Sequence, residues 1–342
     1  MTRAAWAGGL LLLIEFGGSA LAHDASPTPQ AFVQQLHAGW YAPRAREFAT
    51  RAAHLAEATQ AYCAADGPLA APREAWRDGL LAWARLGSVA IGPLVERRAL
   101  RRIDFGPTRP ELLARAIDSH PAGEADMEQI GSAAKGLPAL ERLLFAVPAR
   151  PGADDCRYAV ELAADIAHEA DAQVEAFDPA NADTPDDEQA AAAFSEMLNQ
   201  WVGAVEALRD QGMLRPLHQR QTRGSATLQL ARDASGASVA EREARWQTLR
   251  ALVVPERGAP AAADAALPTL TSQLRGLGQG RMADRLGGAV RRAEVALAAA
   301  HDNAPARLQA AARRLAELKA LVEAEVAPAL GVHIGFSSAD GD

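Results

Sequence analysis

The sequence predicts an all-α protein of two antiparallel helical bundles packed together, and three observations carry that prediction. Composition is the first: 49% of the residues are hydrophobic but only 5% aromatic. Alanine and leucine supply most of that apolar share, alongside glutamate and arginine, all of them strong helix formers. Periodicity is the second, with apolar residues recurring at spacings of three and four through several long segments. The third is the lack of any convincing series of alternating strands. A chain of 342 residues is enough for one large domain or two ordinary ones.

The opening residues MTRAAWAGGLLLLIEFGGSALA have the layout of a secretory signal peptide over 1–22. Arg3 is the charged n-region, Ala4 to Phe16 the apolar run, and Ala20-Leu21-Ala22 the small-residue cleavage pattern. Cleavage near Ala22/His23 would leave a periplasmic or secreted mature chain. An N-terminal anchor is the alternative, but the apolar run is too short to span, and no later segment approaches ~18 uninterrupted apolar residues, so no integral membrane protein is expected. Cys63 and Cys156 are the two cysteines. In an oxidising compartment a disulfide between them is the natural reading, with two free thiols as the alternative and metal ligation by so distant a pair less favoured.

The register Phe48, Ala52, Leu55, Thr59, Tyr62 marks a helix from Pro43 to about Cys63. A second helix carries Trp76, Leu80, Trp83, Gly87 and Ala90 on one stripe and stops at Gly92-Pro93. Arg101 to Pro110 reads as an ordered loop, followed by short helices near 111–119 and 124–134 and a helical turn over 139–145. A helix over 154–177 carries Ala159, Leu162, Ile166, Gln173 and Phe177. The polar stretch DPANADTPDDEQ is the clearest boundary, dividing an N-terminal bundle (23–180) from a C-terminal one (181–342). Its Thr184-Pro185, with Asp187 three residues after Thr184, predicts a helix start. Phe194, Leu198, Trp201, Val205 and Leu208 line the next helix. Residues 212–236 read as irregular, with helices expected near 237–253, 281–301 and 304–326.

A net charge of −8 without a basic block argues against a nucleic-acid partner. The zinc-protease pattern fails, because His168-Glu169 is followed by Ala172 where the second histidine belongs. Glu161, Asp165 and His168 share one helical face, read either as a solvated polar face or as a cation site. No nucleophile elbow, P-loop or dinucleotide fingerprint stands in a suitable setting. The tryptophans Trp40, Trp76, Trp83, Trp201 and Trp246 read as core.

Two segments say more: Lys135-Gly-Leu-Pro-Ala-Leu-Glu141-Arg-Leu-Leu-Phe145, and the ending Leu330-Gly-Val-His-Ile-Gly335-Phe-Ser-Ser-Ala-Asp340-Gly-Asp342. With Arg102-Ile-Asp-Phe-Gly-Pro107 and Ser235-Gly-Ala-Ser238 they make the chain similar to the imelysin family, exported bacterial proteins classed with the metallopeptidases. The resemblance implies two four-helix-bundle-like halves, a link to iron acquisition, and a divalent metal or iron as cofactor. It also implies iron-uptake or outer-membrane components as partners. The family's metal motif is G-x-H-x-x-E; here Gly136 and Glu141 match, but Pro138 stands at the histidine position. Proline has no lone pair for a metal.

Glu141 is then either a carboxylate favoured by the helix dipole or part of a ligand set. Asp104, Asp340 and Asp342 are further candidate oxygen ligands, although the tail that carries the last two could simply tuck against the bundle. Three functions follow. The substitution at Pro138 favours a non-catalytic binding or accessory protein in iron acquisition. The family's classification allows a metallopeptidase, and the fold alone allows a helical interaction module for a membrane partner.

Overall fold

The structure is a computed structural model that describes residues 28–181, 184–255 and 268–335. The signal-peptide-like segment, His23 and the ending from Phe336 to Asp342, including Asp340 and Asp342, lie outside the described residues. Among those residues every regular element is a helix or helical turn, as composition and periodicity predict.

In the first half, α1 (Pro29–Gln35) leads into α2 (Ala42–Cys63), then α3 (Ala70–Gly87) and the short helices α4 (Pro93–Glu96), α5 (Ala99–Ile103), α6 (Pro110–Asp118), α7 (Gly123–Gln129) and α8 (Gly136–Glu141), ending with α9 (Asp154–Ala176). The second half holds α10 (Asp187–Arg209), α11 (Arg215–Arg223), α12 (Ser238–Ala251), α13 (Leu270–Gly276), α14 (Gly280–Ala299), α15 (Pro305–Leu321) and α16 (Ala327–Ala329). Helix α2 is the hub of the first half, packing on both α3 and α9. In the second, α15 lies against α14 and α10. The halves meet where α3 lies on α12 and where α1 crosses to α10, Phe32 meeting Phe194 edge-on at 4.8 Å. One continuous apolar cluster runs through both. It takes in Trp40, Trp76, Trp83, Trp201 and Trp246, the core role the sequence suggests.

Prolines mostly do not break these helices. Among the described residues, Leu36–Tyr41, Arg142–Ala146, Asp210–Leu214 and Val322–Val326 are wide π-turns. Each ends two residues before a proline (Pro43, Pro148, Pro216 and Pro328). The residue just before the proline donates its N–H five residues back: Ala42 to His37, Val147 to Arg142, Arg215 to Asp210, Ala327 to Val322. A proline ring clashes with the carbonyl four residues earlier and cannot donate to it. Widening the turn by one residue moves that carbonyl aside. Only at Pro148 does the helix then stop. The expected irregular stretch 212–236 is corrected accordingly: helical structure continues through Pro216 to Arg223, where Gly224 ends it at φ +62°. Helix α10 is capped by Asp186, whose carboxylate accepts the Gln189 N–H at 2.8 Å while the Gln189 side chain accepts the Asp186 N–H at 3.0 Å. The cap is therefore Asp186 and not Thr184, and α13 was not foreseen.

Cys63 and Cys156 form the disulfide, with Cα atoms 5.5 Å apart and a sequence separation of 93. It ties the end of α2 to the start of α9. Closing so long a loop constrains the unfolded chain by roughly 4–5 kcal/mol in the chain-entropy model. The double substitution Cys63→Ser/Cys156→Ser is expected to lower unfolding free energy by about 2–4 kcal/mol, measured by urea melts against the oxidised wild type.

Candidate functional site

The segments that stand out in the sequence converge where the halves meet. Gly136 opens α8 at φ +69°, and a Cβ there would lie 2.4 Å from the Ile103 carbonyl oxygen and 2.8 Å from that of Arg102. Only glycine lets α8 come so close to the end of α5. The buried Trp76 donates its indole N–H to the Leu137 carbonyl at 3.0 Å, fixing the same turn from α3. Pro138 is buried, and its Cγ lies 3.8 Å from where a Cβ on Gly106 would stand. At the motif's histidine position, then, the structure has an apolar contact between α8 and the loop after α5.

Asp104 follows α5 and Glu141 ends α8, so both carboxylates belong to the first half. Both point at Arg232 of the second half, which is only 4% exposed. Arg232 pairs with Asp104 through Nη2, lies 3.6 Å from Glu141 through Nη1, and reaches Glu241 from Nε at 3.2 Å. Its guanidinium also sits over the Trp76 ring, 5.8 Å from the centroid. Arg245, one helical turn beyond Glu241 on α12, bridges Asp104 at 3.0 Å and Glu241 at 2.8 Å. Glu141 Oε1 accepts two hydrogen bonds from Ser235, from the backbone N–H at 3.0 Å and the hydroxyl at 2.6 Å. The turn carrying Ser235 is held in place by Arg77 of α3, which donates to the Ser235 carbonyl at 3.1 Å, and by the left-handed Gly236 at φ +70°.

Three carboxylates (Asp104, Glu141, Glu241) thus face two guanidiniums (Arg232, Arg245), all of them buried except Arg245, which stays partly open to solvent. Burial pushes the Asp104 carboxyl up, against the pull of Arg232 and Arg245. Burial likewise raises Glu141, opposed by Ser235 and Arg232. Burial acts on Glu241 in the same sense, but Arg245 and Arg232 outweigh it and hold this carboxyl down to about 2. A cluster with one carboxylate too many has this asymmetry: the best-paired acid stays ionised and the others are disfavoured as anions.

The chemistry of the donor set decides whether a metal suits it. Proline offers no ligand at position 138, and the carboxylate oxygens of Asp104, Glu141 and Glu241 are engaged by arginines and a serine. Among the described residues no group of three or more His, Cys, Asp and Glu is arranged to hold an ion. Paired as they are, Asp104, Glu141 and Glu241 do not fit a metal. Glu141 also does not act as a cap: it is the last residue of α8 and bonds across to the other half.

The profile of the imelysin family matches residues 41–330. The chain belongs to the imelysin family. An imelysin-like protein from Psychrobacter arcticum 273-4 has a similar crystal structure, with TM-score 0.73 and 20% identity over 91% of this chain and 98% of that one. Another, from Parabacteroides distasonis ATCC 8503, carries the name of an iron-regulated protein A precursor; there TM-score is 0.71 and identity 15%, over 87% of this chain and 95% of that one. No curated protein sequence matches the chain.

Elsewhere in this imelysin, the face of Glu161, Asp165 and His168 is mixed: His168 is exposed, as a solvated polar face would have it, whereas Asp165 is largely buried. The face packs under α7 and the residues after it. Glu161 accepts the Gly123 N–H at 2.9 Å, His168 Nε2 lies 3.0 Å from Glu124, and Asp165 meets the buried Lys135 at 3.1 Å. Glu169 is buried too, against Arg97 in a two-pronged pair at 3.0 and 2.9 Å and Gln173 at 2.7 Å. Sequence reasoning missed Arg232, Glu241 and Arg245 at the central cluster. The spacing of four between Glu241 and Arg245 was the one available signal.

Two outcomes test this geometry. Gly136→Ala forces a Cβ into the α5 carbonyls and is expected to cost about 2–4 kcal/mol in a urea melt. The pH dependence separates the carboxylates. Glu241, with an ordinary value of 4.5 and about 2 when folded, contributes stability that is complete above pH 4.5 and lost as pH falls toward 2. Glu141, raised in the fold, does the reverse, since the folded protein keeps its proton longer and stability declines as pH climbs above 4.5. Melts from about pH 3 to about pH 7 should show Glu241→Gln flattening the acid side and Glu141→Gln flattening the decline above it.

Proposed function

We propose that this chain is an exported, non-catalytic imelysin that serves as a binding or accessory protein in iron acquisition, its central cluster bracing the two halves. One observation carries the reading. Where the family motif would place metal ligands, Arg232 stands among Asp104, Glu141 and Glu241 as a built-in cation, and Pro138 fills the histidine position. A guanidinium with fixed partners offers neither an open coordination position nor a water to activate, and hydrolysis at a metal needs both. The iron link draws on the name of the Parabacteroides relative. The signal-peptide layout of residues 1–22 supports export to the periplasm.

The test takes the purified chain from His23 onward and follows its melting with iron, zinc, copper and calcium salts, together with cleavage of a denatured protein. The expected result is no metal-dependent shift that depends on Glu141, and no cleavage. A rise of several degrees with one metal, abolished in Glu141→Gln and accompanied by proteolysis, establishes the metallopeptidase instead. The iron role is read separately: a strain lacking the gene should grow more slowly under iron chelation and recover with the gene restored. Equal growth overturns that part.

A further inference from the structure

The disulfide that ties α2 to α9 also forms part of the wall of a cavity. This cavity, of about 380 Å³, lies where the end of α2, the link between α6 and α7, and the start of α9 come together. Both cysteines line it, with Ile117, Pro121 and Val160 as further apolar wall. Exposed Ala64, Ala122 and Arg157 stand in its lining, so it opens to solvent. The two cysteines differ in access: Cys156 is only 1% exposed, whereas Cys63 is half-buried. A disulfide sealed in a core exchanges only when the fold opens around it, but one beside an open cavity can be met by a thiol in the folded protein. The charges of the lining narrow the choice of thiol. Arg157 is paired with Asp154, and His120 Nδ1 lies 3.4 Å from the same carboxylate. Glu161 accepts the Gly123 N–H at 2.9 Å and has no cationic partner among the described residues. At about pH 8, where imidazole is neutral, the carboxylates of Asp154 and Glu161 outnumber the Arg157 guanidinium, and the lining is net negative.

We propose that Cys63 is a site of covalent exchange with small thiols that carry no negative charge, and that they reach it through this cavity. At roughly 30 Å³ for each water-sized group, the cavity has room for such a molecule. The thiolate attacks Cys63 Sγ. The bond from Cys63 Sγ to Cys156 Sγ breaks as the new disulfide forms, and its electron pair leaves with Cys156 Sγ, which takes a proton from solvent. One disulfide replaces another, so no oxidant or reductant is consumed. The product holds the small thiol on Cys63 and unties the end of α2 from the start of α9. Burial of Cys156 directs attack to Cys63, and the uncompensated Glu161 carboxylate repels an anionic thiol. The inference does not depend on the iron reading.

The probe is cysteamine, with mercaptoethanesulfonate as its anionic counterpart, each incubated with the mature chain at about pH 8 without denaturant. Iodoacetamide alkylates the released Cys156, and mass spectrometry of the digest locates the adduct. The expected rate rises in proportion to thiol concentration, with the adduct on Cys63 and the alkyl group on Cys156. With each rate divided by that on hydroxyethyl disulfide, cysteamine should react about 3-fold or more faster than mercaptoethanesulfonate, and added salt should shrink the gap. Glu161→Gln should shrink it too. Ala64→Trp and Ala122→Trp, both at exposed positions, obstruct the opening and should slow exchange about 10-fold or more; if one fails to fold, the other carries the test. A rate that is independent of thiol concentration and equal to the unfolding rate overturns the proposal. So does an adduct on Cys156, exchange unaltered by both tryptophans, or an anionic thiol that reacts as fast as cysteamine.

Discussion

Arg232 has a guanidinium almost out of reach of water, and such a charge is tolerated only where anions meet it on several sides. Those anions come from both halves: Asp104 and Glu141 from the first, Glu241 from the second. Most of what surrounds the interface serves that meeting. Gly136 brings α8 against α5 so that Glu141 and Asp104 lie side by side. Trp76 holds the α8 turn and presents its ring to the guanidinium. Ser235 takes up Glu141 oxygen that Arg232 leaves free, and Arg77 holds Ser235 in turn. Taking away one partner would leave a buried charge uncompensated, which is far costlier than the pair is favourable.

The family's motif acquires a different meaning in this setting. In a metal site, glycine, histidine and glutamate would share the work of positioning and ligation. Here glycine provides close approach, proline provides packing against Gly106, and glutamate provides a hydrogen-bonded anchor for the opposite half. The same positions have become fasteners.

How much of this was legible in the sequence follows from the range of each interaction. The long helices were readable because their apolar stripes repeat locally, and Phe48, Ala52 and Leu55 on α2 pack as their spacing says. The stretch 212–236 misled because its polar composition hides a hydrogen-bonding effect up to five residues long: the wide turn before Pro216 lets the helix continue to Arg223. Asp104 and Glu141 were singled out as oxygen donors, and they do share one place. Their partner Arg232 lies 128 residues from Asp104, in a stretch without periodicity, so nothing local marked it. On the face of Glu161, Asp165 and His168 the histidine stays exposed, as the solvated reading expects, while Asp165 is drawn to Lys135, a partner 30 residues away that no local pattern marks.

The two fasteners of the fold also differ in when they can form. The disulfide joins Cys63 to Cys156, both within the first half, so it can close as soon as that half has been made. The charge cluster has to wait for Arg232, Glu241 and Arg245. During synthesis the first half therefore passes through a stage at which Asp104 and Glu141 have no counter-charges and favour staying hydrated. Until Arg232 is in place, the buried seats of Asp104 and Glu141 lack their counter-charge.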